Sequence, residues 1–292
     1  METYRHSGSI SYSGILIASA AGIAAAVVLG IIYSFAIVHI PFAKLHFVLT
    51  MFYGALIGLA VGWGAKIGKI RSVFIAATYG FACGLVGLYV AWAVDLIARV
   101  IIPDNGVWPM DYLLAFSPDV LLDYIKQFYE HGAWGMRGGE ILKGPFLGVI
   151  WAAEAIVIVG GATFFAPMRI KDHPFCETCK HWTTIKPVGT KLSLRDVERT
   201  LPALLSGDVT ALSDFSAADT EQLYLELELA SCPTCDESHY LSVFQVAKTI
   251  DKKGKETVER RPVIRNMLIA AEDVPLARNA GMKRQEPTDG EV

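Results

Sequence analysis

An α-helical membrane bundle of four spans followed by a small α+β domain is the fold class this sequence predicts, and three observations carry the prediction. Mean hydropathy is +0.40 with only 19% charged residues, too apolar and too lightly charged for an ordinary pair of soluble domains. The apolar excess lies almost wholly before residue 168, and charge returns abruptly in "MRIKDH" from Met168. Beyond that point two Cys-x-x-Cys pairs, in "PFCETCKHW" and "CPTC", stand among short alternating and helical patterns. The expected limits are therefore 1–167 for the bundle and 168–271 for the second domain. Residues 272–292 form a polar tail in which Pro287, Gly290 and the lack of periodicity predict disorder.

A helical span needs about 20 apolar residues. Four stretches meet that need: Gly14 to Ile40, Phe47 to Trp63, Ser72 to Ile101 and Pro145 to Phe165. None alternates as a barrel strand does, so helices are the structure that satisfies their backbone in lipid. The first is longer than the core of a signal peptide and is led in by Arg5 as its one ordinary cation, which reads as a retained helix.

Cations set the orientation. Lys66, Lys69 and Arg71 crowd the short link between the second and third spans, Lys44 stands alone in the first link, and Arg169, Lys171 and Lys180 follow the fourth span. By the positive-inside rule both termini face the cytoplasm, in a multi-pass membrane protein. The connection 103–143 then lies outside. Within it "SPDVLLDYIKQFYEHG" predicts an amphipathic helix, with Ser117 as N-cap, Pro118 and Asp119 in the first turn and Gly132 as the stop. Val120, Leu121, Tyr124, Ile125 and Phe128 form its apolar stripe, and Trp108 and Trp134 flank it. Such a helix lies on the membrane surface or caps the bundle.

Two features of the spans bear on function. Gly54, Gly58 and Gly62 recur every four residues, as do Gly80 and Gly84, giving flat faces for close helix packing within one chain or between copies in a homo-oligomer. Asp95, Arg99 and Glu154 are ionisable groups at membrane depth, with His39 and His46 near the same end. They define either a polar site for a proton or ligand or a set of structural pairs.

In a reducing compartment, paired Cys-x-x-Cys motifs point to a metal rather than to disulfides. Cys176, Cys179, Cys232 and Cys235 supply four soft ligands, for which one structural Zn2+ is the default; rubredoxin-like iron is less favoured, and thiol redox chemistry is a further reading. Zinc would also stabilise a small domain with a thin core. Four cysteines close a tetrahedral site, so His181 and His239 are expected at turns or on the surface. Cys83 reads as a small packing residue within a span.

Around these cysteines the sequence resembles a zinc ribbon. The resemblance implies that each knuckle occupies a tight turn and that the pairs face each other across a small antiparallel sheet. Asp236 stands where that family often has glycine. The residues themselves agree with a sheet: "LYLELEL" alternates from Leu223 to Leu229, and "HYLSVFQVAKTI" and "ETVERRPVIRNMLI" flank "DKKGK" as a hairpin in which Pro262 demands an edge or a bulge. Between the knuckles, "SLRDVERTLPALLSG" predicts a helix opened by Ser193 and Asp196, stopped by Gly207 and interrupted at Pro202, with Leu194, Val197, Leu201, Leu204 and Leu205 on its apolar face. As an arrangement, the Gly-rich spans, the outer "HGAWGM", "WAAEA" and "PFCETCKHW" resemble uncharacterised bacterial inner-membrane proteins with a cytosolic zinc-ribbon domain. That grouping implies a compartment and no reaction.

No P-loop, His-Glu-x-x-His or Gly-x-Ser-x-Gly motif is present, so no enzyme activity is expected. Lys252, Lys253, Lys255, Arg260, Arg261 and Arg265 form a basic hairpin suited to anionic lipid or nucleic acid, but Asp251, Glu256 and Glu259 dilute it, so nucleic acid is not favoured over a solvated face. The leading expectation is a membrane-anchored adaptor whose metal-braced domain meets a cytosolic protein partner. An oligomeric transporter or channel component using Asp95 and Glu154 is the alternative.

Overall fold

In the computed structural model, residues 2–40, 43–103, 108–132, 134–135, 141–218, 222–250 and 255–281 are described. Two compact units result: Ser7–Lys171, and Met1–His6 together with Asp172–Val292. The break thus falls four residues beyond the expected limit at Pro167, and the first six residues join the Cys-bearing unit rather than the bundle.

In the bundle unit, α1 (Tyr12–His39), α2 (Ala43–Ile67), α3 (Val73–Leu96) and, after the long connection, Pro145–Phe165 are long and apolar enough to cross a membrane. Ser11 caps α1 by accepting from the Gly14 N–H at 3.0 Å while its hydroxyl donates to the Gly68 carbonyl at 2.7 Å, tying the start of α1 to the end of α2. α3 continues through a π turn, Ile97–Ile101. The connection contains α4 (Pro109–Leu114), α5 (Pro118–His131) and the two-residue strands β1 (Trp134–Gly135) and β2 (Ile141–Leu142). α6 (Pro145–Phe165) starts on a proline, whose missing N–H costs nothing at that position, and runs into a 3-10 turn, Ala166–Arg169.

Small residues let these helices touch. A Cβ on Gly54, Gly58 or Gly62 of α2 would stand 2.4 to 2.5 Å from the carbonyl oxygens of Ile158, Ala162 or Ala166, and one on Gly80 of α3 would reach the Ala162 carbonyl at 2.5 Å. Both glycine faces are therefore filled by α6 and its 3-10 extension from the same chain. A third stripe, Gly14, Ala18, Gly22, Ala26 and Gly30, is buried along α1 at the same spacing of four. Polar side chains add ties across the bundle: Tyr53 Oη lies 2.9 Å from the carbonyls of both Ala26 and Gly87, and Ser34 donates to the Ala91 carbonyl at 2.8 Å.

In the Cys-bearing unit, β3 (Phe175–Cys176) pairs with β4 (His181–Trp182), and β5 (Thr184–Leu192), β6 (Leu223–Ser231), β7 (His239–Ile250) and β8 (Glu256–Ile269) form an antiparallel sheet in that order. Leu225, Leu227 and Leu229 face inward, as the alternation requires, and pack with Leu192, Leu241, Val243, Ile264 and Met267. Register passes from Phe244 opposite Pro262 to Val243 opposite Ile264, leaving a bulge beside Pro262 in β8. Proline is tolerated there for lack of a ladder N–H.

The segment between the knuckles differs in detail from the expectation. Ser193 opens a 3-10 turn, Leu194–Asp196, and α7 (Val197–Ser206) runs through Pro202 to Gly207, whose φ of 101° ends it. Asp196 does not close a capping box; its Oδ2 accepts from the N–H and hydroxyl of Ser216 at 3.0 and 2.6 Å. Leu204 is fully buried over the sheet, while Leu205 is exposed. The expected disorder from Glu272 is also corrected: α8 (Val274–Asn279) buries Val274 and Ala277 against the leucine core. Residues 282–292 lie outside the described residues. At the other end of the chain, Thr3 bridges Met267, the Tyr4 N–H donates to the Asn266 carbonyl at 2.8 Å and the Leu268 N–H to the Glu2 carbonyl at 2.9 Å.

Candidate metal centre

Each Cys pair sits on a hairpin link. Cys176 ends β3 and Cys179 lies in the turn to β4; Cys232 follows β6 and Cys235 lies before β7. The four Sγ atoms are within 4.8 Å of one another, and Cys176 and Cys235 approach to 3.7 Å across the two knuckles. Four sulfurs at tetrahedral corners, about 2.3 Å from an ion, stand about 3.8 Å apart. The cluster can therefore hold a metal ion with little rearrangement. Cys176 and Cys232 are buried and Cys179 and Cys235 half-buried, so the ion would sit at the edge of the fold. Backbone bonds preset both turns: the Cys179 N–H points to Cys176 Sγ at 3.5 Å, and the Cys232 N–H to the Ser238 carbonyl at 3.0 Å. The left-handed residue is Lys180, at φ 56°, and not Asp236, where the sequence raised the question.

Electrostatics divides the thiols. Burial opposes ionisation of Cys176, yet the Ser238 hydroxyl, the Cys179 N–H and the neighbouring thiols hold its pKa down at about 7. Cys179, which donates to Cys235, is pushed up to about 12, with burial adding to the rise. The Glu237 N–H lowers Cys235, but burial and hydrogen bonds to Cys176 and Cys232 outweigh it, so its pKa is raised. Cys176 is thus the thiol that ionises most readily, whereas Cys179 and Cys235 hold their protons more firmly than a free thiol and must give them up to an ion. Loading the metal-free protein should release about two or more protons per ion, and affinity should weaken as pH falls. Calorimetry in buffers of different ionisation enthalpy reads this number; zero protons would exclude thiolate ligation.

Among the described residues the cluster contains the four cysteines and no histidine. His181 is exposed, as expected. His239 is not: it is 6% exposed in β7, opposite Ser231 and Ile269, with Nδ1 2.9 Å from Ser231 Oγ. Its position in an inner strand buries it.

The acids of the membrane-length helices divide into two sets. Asp95 holds Arg99 Nε at 2.9 and 3.0 Å and accepts from the Tyr124 hydroxyl at 2.8 Å. Burial first, then the Asp95 charge, raises the Tyr124 pKa well above the phenol range, keeping it a donor. Glu154 accepts from Tyr33, whose hydroxyl also meets Thr50 Oγ1 at 3.0 Å. His39 and His46 lie at 2.8 and 2.6 Å from the backbone carbonyls of Phe35 and Ile40. Nothing in the sequence marks Tyr33 or Thr50 for this role, because a tyrosine within an apolar run looks like packing. Removing the phenol hydroxyl in Tyr33→Phe should cost the bundle about 1 kcal/mol, typical of an interhelical hydrogen bond in lipid; unchanged thermal unfolding in detergent would show the bond carries no weight.

Of the basic hairpin, Lys252 and Lys253 lie outside the described residues. Arg260 is held by Glu228 at 2.7 Å and Glu226 at 3.5 Å and stacks over Phe244 at 3.6 Å; Arg261 pairs with Glu259 and Arg265 with Asp172, each at 2.7 Å. Lys255 is exposed. The arginines thus meet carboxylates of their own unit, which leaves little field for an outside anion.

No protein-family model matches the chain, and neither a curated protein nor a solved structure matches it. The class it defines is set by its own features: four membrane-length helices joined to a small sheet unit with a metal-capable four-cysteine cluster.

Proposed function

We propose that the protein is a membrane-anchored adaptor whose cytosolic, zinc-ribbon-like unit binds one structural zinc and presents a rigid surface to a soluble protein partner. The observation that carries this reading is the set of four sulfurs within 4.8 Å. Four thiolates fill a tetrahedral zinc and leave no position for a reactive water, so the ion braces and does not catalyse. Soft sulfur donors favour zinc over hard cations. The N-terminal residues pair with β8, so both ends of the bundle lead into one unit. An even number of crossings requires that, and Lys66, Lys69 and Arg71 favour the cytoplasm as the side they share.

The transporter alternative draws less support, since Asp95 and Glu154 each contact donors of their own chain. Two measurements test the proposal. A fluorescent-protein fusion after Val292 should fluoresce while alkaline phosphatase inserted after Gly132 is active; the reverse pattern overturns the topology. Photo-crosslinkers placed at the exposed Thr178 and Thr234 of the two knuckles should capture a discrete soluble protein, with capture lost in the Cys176→Ser, Cys232→Ser variant; capture unaffected by metal loss overturns the bracing role.

A further inference from the structure

We propose that the Trp108–Leu122 segment is a re-entrant hairpin seated in the lipid leaflet at the end of the bundle that carries the 103–143 connection, with acyl chains covering its apolar face. The inference rests on the reading that α3 spans a bilayer.

Depth comes from the hydrogen bonds along α3. The chain leaves α3 and its π turn at Ile101, yet the Tyr89 hydroxyl donates to the Phe116 carbonyl at 2.5 Å. Tyr89 lies about 18 Å back along the helix axis from Ile101, at roughly 1.5 Å per residue. By Phe116 the chain has therefore descended that far beside α3. α5 then climbs out again: Tyr124 meets Asp95 at 2.8 Å, and the Phe128 ring lies 6.0 Å from the Arg99 guanidinium. Contacts that advance from Tyr89 to Asp95 to Arg99 as the connection advances from Phe116 to Tyr124 to Phe128 describe a hairpin with α4 as its descending arm. A hydrocarbon core of about 30 Å takes up about 20 helical residues. Counted from Val73, it ends near Ala93, which places Phe116 about 6 Å inside the acyl boundary, the depth of an interfacial segment.

The chemistry of the hairpin suits that depth. Trp108, Met110, Leu113 and Leu122 are 76, 62, 69 and 54% exposed, a density of large apolar side chains that is costly in water. Leu85 and Phe81 of α3, about one and two turns before Tyr89, are likewise 47 and 48% exposed. At the bottom of the hairpin the backbone is satisfied within the chain, as lipid demands: the N–H groups of Ala115, Phe116 and Ser117 donate to the carbonyls of Asp111, Leu113 and Leu114. Asp119, about one turn above Phe116 on α5, is exposed and by the same count stands near the acyl boundary, and farther out Lys126 and Asp123 form an ion pair 72% exposed at each partner.

The test places the photo-crosslinker p-benzoylphenylalanine singly at Leu113, Phe81 and Lys126 of the full chain in nanodiscs of phosphatidylethanolamine and phosphatidylglycerol, with phospholipid adducts read by mass spectrometry. Adducts at Leu113 comparable to those at Phe81, and absent at Lys126, are expected. Adducts at Phe81 with none at Leu113, or cross-linked dimers from Leu113 in their place, would overturn the hairpin and leave the spans standing. Absence at both positions would overturn the membrane reading itself, and the proposal with it.

Discussion

The double variant Cys176→Ser, Cys232→Ser, which takes one sulfur from each knuckle, should lose its metal and melt the 172–183 hairpin and the 232–238 link while the β5–β8 sheet stays folded. Magnitudes decide where the damage stops. Structural zinc in small peptides contributes an apparent 10 to 16 kcal/mol, comparable to the whole stability of a domain, about 5 to 15 kcal/mol. A domain with a thin core would unfold outright, as the sequence suggested. The leucine core of this unit, however, is built from β5 to β8, α7 and α8 and includes no residue of β3 or β4. What the ion joins is the β3–β4 hairpin to the β6–β7 link. Hydrogen exchange should therefore show protection falling by at least about a hundredfold, equal to roughly 2.8 kcal/mol, in those two segments and little change in β6 and β7. Global loss of protection would mean that the ion nucleates the whole unit; no loss anywhere would mean that it braces nothing.

Gly58→Leu should strongly destabilise the bundle. A Cβ there would stand 2.5 Å from the Ala162 carbonyl oxygen and 3.0 Å from Ala162 Cα. Both are backbone atoms, so no rotamer change relieves the clash, and α6 must move. Overpacking of this kind costs about 1 to 3 kcal/mol or more, enough to lower the unfolding temperature in detergent by several degrees. Gly160→Ala is the matched control on α6, because nothing lies within 4 Å of a Cβ at that position and alanine favours a helix over glycine by about 1 kcal/mol. Equal stability of the two variants would show that α2 and α6 do not pack as described.

These two cases also mark how far the sequence could be read. Runs of about 20 apolar residues announce spans because lipid leaves the backbone no other structure, and repeated glycines announce flat faces; what they do not name is the partner, which proved to be α6 of the same chain. The stripe of Gly14, Ala18, Gly22, Ala26 and Gly30 on α1 was legible at the same spacing but was diluted by alanines elsewhere in the helix. The cysteine spacing fixed the cluster, since each Cys-x-x-Cys presents two sulfurs on one turn. Non-local pairings left no such mark. Pairing of Thr3 with Met267 joins opposite ends of the chain, and α8 with its C-cap offers only a short apolar set, Val274, Leu276, Ala277 and Ala280, within a polar tail. Likewise the Tyr33 hydroxyl on Glu154 depends on where α1 and α6 meet, which no pattern within either helix records.

Elemental mass spectrometry of the detergent-purified wild-type chain tests the central claim most directly. One zinc per chain, retained through purification and absent from the Cys176→Ser, Cys232→Ser variant, is the expected result. A chain that holds no tightly bound metal and instead forms reversible disulfides among Cys176, Cys179, Cys232 and Cys235 would contradict it.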